Sequence, residues 1–302
     1  MPTSFSGIYP AFLTPLDADH RFVPKVAESL LLHLLSTGVD GTYVAGSTGE
    51  GMRLPLRDRK ALVETLMPLM SEKKLIVHVG APTIDEAVLL ANHAAKHGAV
   101  AISSLPPAGD SLQVRRFYET LASESPLPLI LYYFPKVAPT AFENAQELID
   151  ICDLPNVLGV KFTDFNFYLL QRLVKRGNLL FNGYDEALAA GLLMGAQGGI
   201  GSTYNVMPQV YLKIFHAALQ GDWETARIWQ SRANSVLDIL LKYPFFPALR
   251  AVMARRGFNC GPLMSGQDFT SSTQHDALLD EMDRNIPLEV AELIQWHSAT
   301  AA

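Results

Sequence analysis

Eight short apolar runs, each followed by a longer polar or helix-patterned segment, constrain this 302-residue chain more than any other feature. They are GIYPAFLTP (7–15), GTYVAGS (41–47), LIVHVG (75–80), AVAISSL (99–105), LPLILYYF (127–134), VLGVKFT (157–163), LLFNGYD (179–185) and GGIGST (198–203). Continuous apolar runs of this length suit parallel strands covered on both faces. Between them lie segments with helical spacing, among them VAESLLLHLLSTG, RKALVETLMPLM, IDEAVLLANHAAKHG and AQELIDIC. Gly38, Gly98 and Gly177 stand where helix C-termini would end. The alternation predicts an α/β fold, a (β/α)8 TIM barrel; a doubly wound open sheet is the alternative.

Beyond the eighth run there are no further strand signals. QVYLKIFHAALQGDWETARIWQSRANSVLDILLKY and ALRAVMARRG read as two or three more helices, with no linker-like shift in composition. The predicted organisation is a barrel over residues 1–206 and a C-terminal helical extension over 207–302, packed on it as one structural unit. WHSATAA, at the end, reads as a frayed tail.

The formal charge of −6, with no basic block longer than the Arg255-Arg256 pair, argues against nucleic acid or an anionic membrane as partner. No apolar stretch approaches the roughly 18 residues of a membrane span. MPTSFSGIYPAFLTPL lacks a basic region followed by a long apolar run, so no signal peptide is expected. Cys152 and Cys260 are far apart and lack C-x-x-C spacing, which supports neither a disulfide framework nor a zinc site. A reducing, cytoplasmic setting is expected.

Polar and glycine-rich groups collect at the C-terminal ends of five runs: GSTGEG (46–51), YYFPK (132–136), KFTD (161–164), NGYDE (182–186) and GSTYN (201–205). In a (β/α)8 barrel that rim is where active sites are built, so five distant parts of the chain would converge on one pocket. Lys161 is the unusual member, a lysine inside an apolar strand. It could simply snorkel its amine to water while its stem packs. Alternatively its amine is a nucleophile. A free lysine is only about 0.1% neutral near pH 7.4, and desolvation in an apolar strand favours the neutral form. A neutral amine attacks a ketone to form an imine, whose protonated form withdraws electrons and permits carbon–carbon cleavage.

Such chemistry needs a carboxylate holder and a proton carrier. Glycines in GSTGE allow close backbone approach, and Ser47 and Thr48 bring hydroxyl donors, although such clusters also form plain turns. The stretch lacks the G-K-[ST] ending of a P-loop. Tyr132, on the adjacent strand, offers a phenol able to act as acid or base, or merely a core ring. HAAKH (93–97) sets two histidines four apart on a helix face. The zinc-protease pattern needs Glu after the first, where Ala94 stands, and the sequence suggests no third ligand; it reads as a solvated face, with no metal site.

GSTGE, the Tyr-x-x-Pro of YYFP, G-V-K-F-T and the helical extension, in that order along nearly the whole chain, resemble the dihydrodipicolinate synthase and N-acetylneuraminate lyase family of pyruvate-dependent class I aldolases. The resemblance implies that Lys161 is the Schiff-base lysine. It makes Tyr132, three residues before Pro135, the proton relay, with Ser47 and Thr48 on the substrate carboxylate. Members that use aspartate semialdehyde carry arginine two residues after that proline, where this chain has Val137. NGYDEALAAGLLMGAQGGIGSTYN instead looks like the sialic acid lyase branch. On that likeness Gly183, Asp185, Glu186 and Ser202 would hold sugar hydroxyls, with Thr163 on the hydroxyl nearest the cleaved bond. The adjacent acids of D-E also suit a helix N-terminus.

The implied activity is reversible cleavage of N-acetylneuraminate, or a closely related 2-keto-3-deoxy sugar acid, to pyruvate and an aldehyde sugar. It requires no cofactor beyond the covalent lysine imine with pyruvate. The implied partners are a small 2-keto acid and other copies of the chain, as a homotetramer. A different aldolase or dehydratase of the family and a non-catalytic keto-acid-binding barrel are the alternatives. One departure stands out: where many members place a tyrosine after strand four, this chain has SSLPPAG (103–109).

Overall fold

The computed structural model describes residues 5–296. Strands β1 (Gly7–Pro10), β2 (Gly41–Val44), β3 (Lys74–His78), β4 (Ala101–Ser104), β5 (Leu129–Tyr133), β6 (Val157–Phe162), β7 (Leu179–Asn182) and β8 (Gly198–Gly201) all occur where the apolar runs lie. Helices α1 (Pro24–Ser36), α2 (Leu56–Leu66), α3 (Ile84–Lys96), α4 (Ser111–Glu124), α5 (Ala145–Cys152), α6 (Phe167–Lys175) and α7 (Leu188–Leu193) connect them. The strands pair in parallel in the order β1-β8-β7-β6-β5-β4-β3-β2. A parallel bridge between Ala11 and Tyr43 and the bond from Asp40 N to the Ile8 carbonyl join β1 to β2. The sheet thus curls into the (β/α)8 barrel that the alternation predicts, rather than an open sheet.

Left-handed glycines follow α1, α3 and α6 as expected, with φ of 96° at Gly38, 94° at Gly98 and 91° at Gly177. The strands are shorter than their apolar runs, because the C-terminal residues of each run leave the ladder to form the rim. Side chains alternate between the two faces of each strand. One set packs under the helices in the main core; Tyr9, Ala11, Tyr43, Ile76, Ala101, Ile130, Leu179, Phe181 and Ile200 form a second apolar cluster.

Five helices follow β8 where the sequence pattern shows two or three: α8 (Pro208–Leu219), α9 (Trp223–Leu240), α10 (Phe245–Arg255), α11 (Ser272–Asn285) and α12 (Leu288–Ile294). The last two escape a periodicity reading because α11 buries only Leu278 and Met282, and α12 only Val290 and Ile294. Helix α8 packs on β1 and on α9. We therefore propose that the parts on either side of residue 206 form one unit, with α8 completing the outer ring. Of WHSATAA only Trp296 is described; it is buried, its indole donating to Asp283 at 2.8 Å, and the rest lies outside the described residues. No described helix is long and apolar enough to cross a membrane.

Candidate active site

Lys161 sits inside the barrel mouth, 4% exposed. Strand register places it directly beside Tyr132 of β5 and Phe181 of β7. Its Nζ lies 4.1 Å from the centre of the Tyr132 ring and 4.5 Å from that of Tyr43. No described residue offers Nζ a carboxylate within ion-pair distance or a hydrogen bond. A buried lysine is almost always paired. This one is framed by two tyrosine faces instead.

The chamber walls come from residues that the motif reading passed over. Tyr43 and His78 meet Tyr132 edge to face, each pair with ring centres 6.3 Å apart. The Tyr43 hydroxyl donates to the Ser103 hydroxyl at 3.1 Å, and burial raises the Tyr43 pKa well above its ordinary value. His78 Nε2 accepts the Leu105 N–H at 2.9 Å, which fixes that nitrogen as an acceptor. Burial, then the charges of Arg59 and Lys161, hold the His78 pKa well below the ordinary imidazole value; the Ala45 carbonyl opposes them. Arg59 of α2 secures the end of β3 by donating to the carbonyls of His78, at 2.6 Å, and Gly80, at 2.8 Å. Where many family members carry a tyrosine after strand four, this chain therefore has the Tyr43–Ser103 pair and the Leu105–His78 bond. Inward-facing polar residues on β2, β3 and β4 were the available signal, since a barrel interior is normally filled by branched apolar side chains.

GSTGEG forms a tight loop rather than a loose polar turn. Ala45 (φ 56°) and Glu50 (φ 52°) are both left-handed, which non-glycine residues seldom adopt. A side chain at Gly51 would place its Cβ 1.7 Å from the Ala45 carbonyl oxygen. Thr48 Oγ1 lies 2.7 Å from Ser202 Oγ, so two hydroxyls predicted for opposite ends of the substrate meet at one place. Ser47, half-buried, accepts the Glu50 N–H on its carbonyl.

The Glu50 carboxylate accepts the backbone N–H groups of Met264, at 2.7 Å, and Ser265, at 3.0 Å. Arg250 of α10 donates to the carbonyls of Cys260 and Gly261 and, at 3.0 Å, to that of Thr14. The Thr14 hydroxyl in turn donates to the Gly49 carbonyl at 2.9 Å. GFNCGP (257–262), tied through Arg250 to Thr14, and Met264 and Ser265 just beyond it thus join the mouth to the C-terminal extension, a role that the sequence does not reveal.

On the other side of the mouth, Thr163 lies two residues beyond Lys161, and its buried Oγ1 has no hydrogen-bond partner among the described residues. Gly183 is packed against it: a Cβ there would stand 2.0 Å from Thr163 Oγ1. Asp185 is buried, and its Oδ2 accepts both the N–H (2.7 Å) and the hydroxyl (2.6 Å) of Thr203. The Thr203 oxygen also lies 2.6 Å from the Tyr211 hydroxyl. Burial raises the Asp185 pKa to about 6, with the Thr203 hydrogen bonds opposing. Asp185 and Glu186 begin a short 3-10 turn (Asp185–Ala187), but no N-terminal side-chain cap forms there. Glu186 is half-buried and borders a cleft of about 690 Å³ between this turn and α9, which none of the other expected site residues lines. Val137, at the position of the absent arginine, is exposed in the turn after β5.

The profile of the Dihydrodipicolinate synthetase family matches residues 4–274. The chain belongs to that family. Among its relatives it is 35% identical to an N-acetylneuraminate lyase of Rhizobium meliloti (strain 1021) over 302 residues, covering 98% of this chain and 97% of that one. It is 33% identical to the N-acetylneuraminate lyase of Escherichia coli (strain SMS-3-5 / SECEC) over 260 residues, covering 84% and 87%. Among solved structures, N-acetylneuraminate lyase from Mycoplasma synoviae superposes with a TM-score of 0.84 at 26% identity, covering 94% of this chain and 99% of that one. A Clostridium difficile protein, in complex with mannosamine, superposes at 0.87 with 26% identity, covering 93% and 99%.

Proposed function

We propose that this chain is a Schiff-base aldolase that reversibly cleaves N-acetylneuraminate, or a closely related 2-keto-3-deoxy sugar acid, to pyruvate and an aldehyde sugar. The observation that carries the reading is Lys161: buried, unpaired and set beside Tyr132 at the mouth of the barrel. The lyase names borne by relatives across nearly the full chain support the choice of substrate.

In this reading the neutral amine of Lys161 adds to the C2 ketone and water leaves, giving an imine that is protonated. Tyr132 carries away the proton of the C4 hydroxyl as the C3–C4 bond breaks. The bonding electrons pass into the imine, leaving an enamine and releasing the aldehyde sugar. A proton returns to C3, and hydrolysis of the imine frees pyruvate and restores Lys161. Ser47 and Thr48 hold the carboxylate. Ser202, beside Thr48, lies where the carboxylate and the sugar chain meet. Gly183 flanks that chain, Asp185 acts on it through its bonds to Thr203, Glu186 reaches it from the adjoining cleft, and the unsatisfied Thr163 hydroxyl meets the C4 hydroxyl. No cofactor beyond the lysine imine enters.

We further carry over assembly as a homotetramer, which the exposed Phe165, Tyr168 and Leu193 suit, and a cytoplasmic setting, which the two buried free cysteines suit. The test is borohydride reduction in the presence of pyruvate, read by peptide mass spectrometry. A reduced adduct on Lys161, and loss of sialic acid cleavage in Lys161→Ala, are expected. An unmodified Lys161 in folded protein with excess pyruvate, or turnover retained by the variant, refutes the mechanism. Efficient condensation of pyruvate with aspartate semialdehyde by the unmodified protein would refute the substrate assignment instead.

A further inference from the structure

The HAAKH turn has the third group that its sequence does not reveal. Glu64 of α2 points at the same face of α3, with Oε1 2.8 Å from His93 Nε2 and 3.9 Å from His97 Nε2. The three prospective ligand atoms lie within 4.8 Å of one another, and the imidazole rings lie with centres 4.4 Å apart, tilted by 33°. Both histidines lie within ion-pair reach of Glu64, but only one is hydrogen-bonded to it. His93 bonds Glu64, but His97 Nε2 stops beyond hydrogen-bond distance and its ring has no hydrogen bond to any described residue. Two imidazoles therefore converge on a carboxylate that one of them does not bond.

Zinc–nitrogen and zinc–oxygen bonds of about 2.0–2.2 Å put neighbouring ligand atoms in a tetrahedron roughly 3.3 Å apart. The 2.8 and 3.9 Å separations bracket that spacing, so an ion would widen one contact and close the other. The adjustment is open to these side chains: Glu64 is 51% and His97 31% exposed, while the more buried His93 supplies a fixed ligand. Packing of α2 against α3 sets the separation in advance. Lys60 is the cation whose charge reaches Glu64 from its own helix, and it opposes cation binding. One carboxylate and two imidazoles suit a borderline divalent ion better than magnesium or calcium, which prefer all-oxygen sets.

We propose that Glu64, His93 and His97 bind a divalent transition-metal ion of the zinc class, with solvent completing the coordination, as a clamp between α2 and α3. The site shares no residue with the Lys161 chamber and stands independently of the function proposed above.

Chelator-treated full-length protein titrated with zinc chloride in a calorimeter tests this. One ion per chain is expected, with affinity at least tenfold weaker in His97→Ala and in Glu64→Gln, and a zinc-dependent rise in melting temperature that both variants lose. Aldolase activity should be the same in the unmodified protein and His97→Ala. Cobalt(II) at the same site should give the visible absorption of a low-coordinate nitrogen–oxygen set. Absence of saturable zinc binding, or zinc binding and stabilisation unchanged in both variants, overturns the proposal.

Discussion

Replacing Asp185 with Asn should reverse part of the protein's dependence on pH. Asp185 is buried with a pKa raised from 3.8 to about 6, chiefly by desolvation. The folded protein therefore holds this proton more tightly than the unfolded chain. Between about pH 4 and pH 6 the folded state binds more protons, so stability falls as pH rises through that window. The stabilisation is fully present below the unfolded pKa and gone above the folded one. A difference of about two pKa units, at 1.36 kcal/mol per unit, corresponds to roughly 3 kcal/mol.

Asparagine cannot ionise, and its side-chain oxygen can still accept the N–H and hydroxyl of Thr203, as Asp185 Oδ2 does. Asp185→Asn should match the unmodified protein near pH 4 and exceed it by up to about 3 kcal/mol above pH 7. At roughly 2 °C per kcal/mol for a domain of this size, the melting-temperature difference should open from near zero to about 6 °C. Thermal unfolding of both proteins, at one protein concentration across that pH range, measures it. A difference independent of pH would show that water reaches the carboxylate and that its environment has been misread.

Gly183→Ala should impair catalysis more than folding, because a Cβ 2.0 Å from Thr163 Oγ1 must displace that hydroxyl. We expect a fall in kcat/KM on the order of 10²-fold, against a stability loss of about 1–3 kcal/mol, read from sialic acid cleavage and urea unfolding; full activity would remove Thr163 from the site. Glu50→Ala leaves the Met264 and Ser265 N–H groups without their acceptor, at a cost of about 1–3 kcal/mol. Since Glu50 acts by holding the loop that bears Ser47 and Thr48, KM for the keto acid should rise while the Lys161 adduct with pyruvate still forms at saturation. An unchanged KM would refute that positioning role.

The barrel was legible because its strands are covered on both faces, and double burial writes itself into sequence as unbroken runs such as LPLILYYF. Lys161 stood out against that background for the same reason. Helices α11 and α12 were illegible because a helix lying on an existing surface needs few apolar residues, and Leu278, Met282, Val290 and Ile294 suffice here. The chamber walls lay in plain view as Tyr43, His78 and Ser103, but a single polar residue in a strand does not disclose which partners curvature will bring to it. Glu64 meets His93 across 29 positions, and Glu50 meets Met264 across 214. Neither pairing leaves a local pattern, because each depends on how whole helices and loops dock.

The tie between Glu50 and the amides of Met264 and Ser265 also governs when the chain becomes competent. Translation delivers every strand, Lys161 and Tyr132 long before residue 264 is made. The strands and the loop bearing Ser47 and Thr48 are thus made before the amides that anchor that loop. Organisation of the mouth is deferred to the closing stage of synthesis. A chain cut short before that point would keep Glu50 but lack both of the amides that its carboxylate holds.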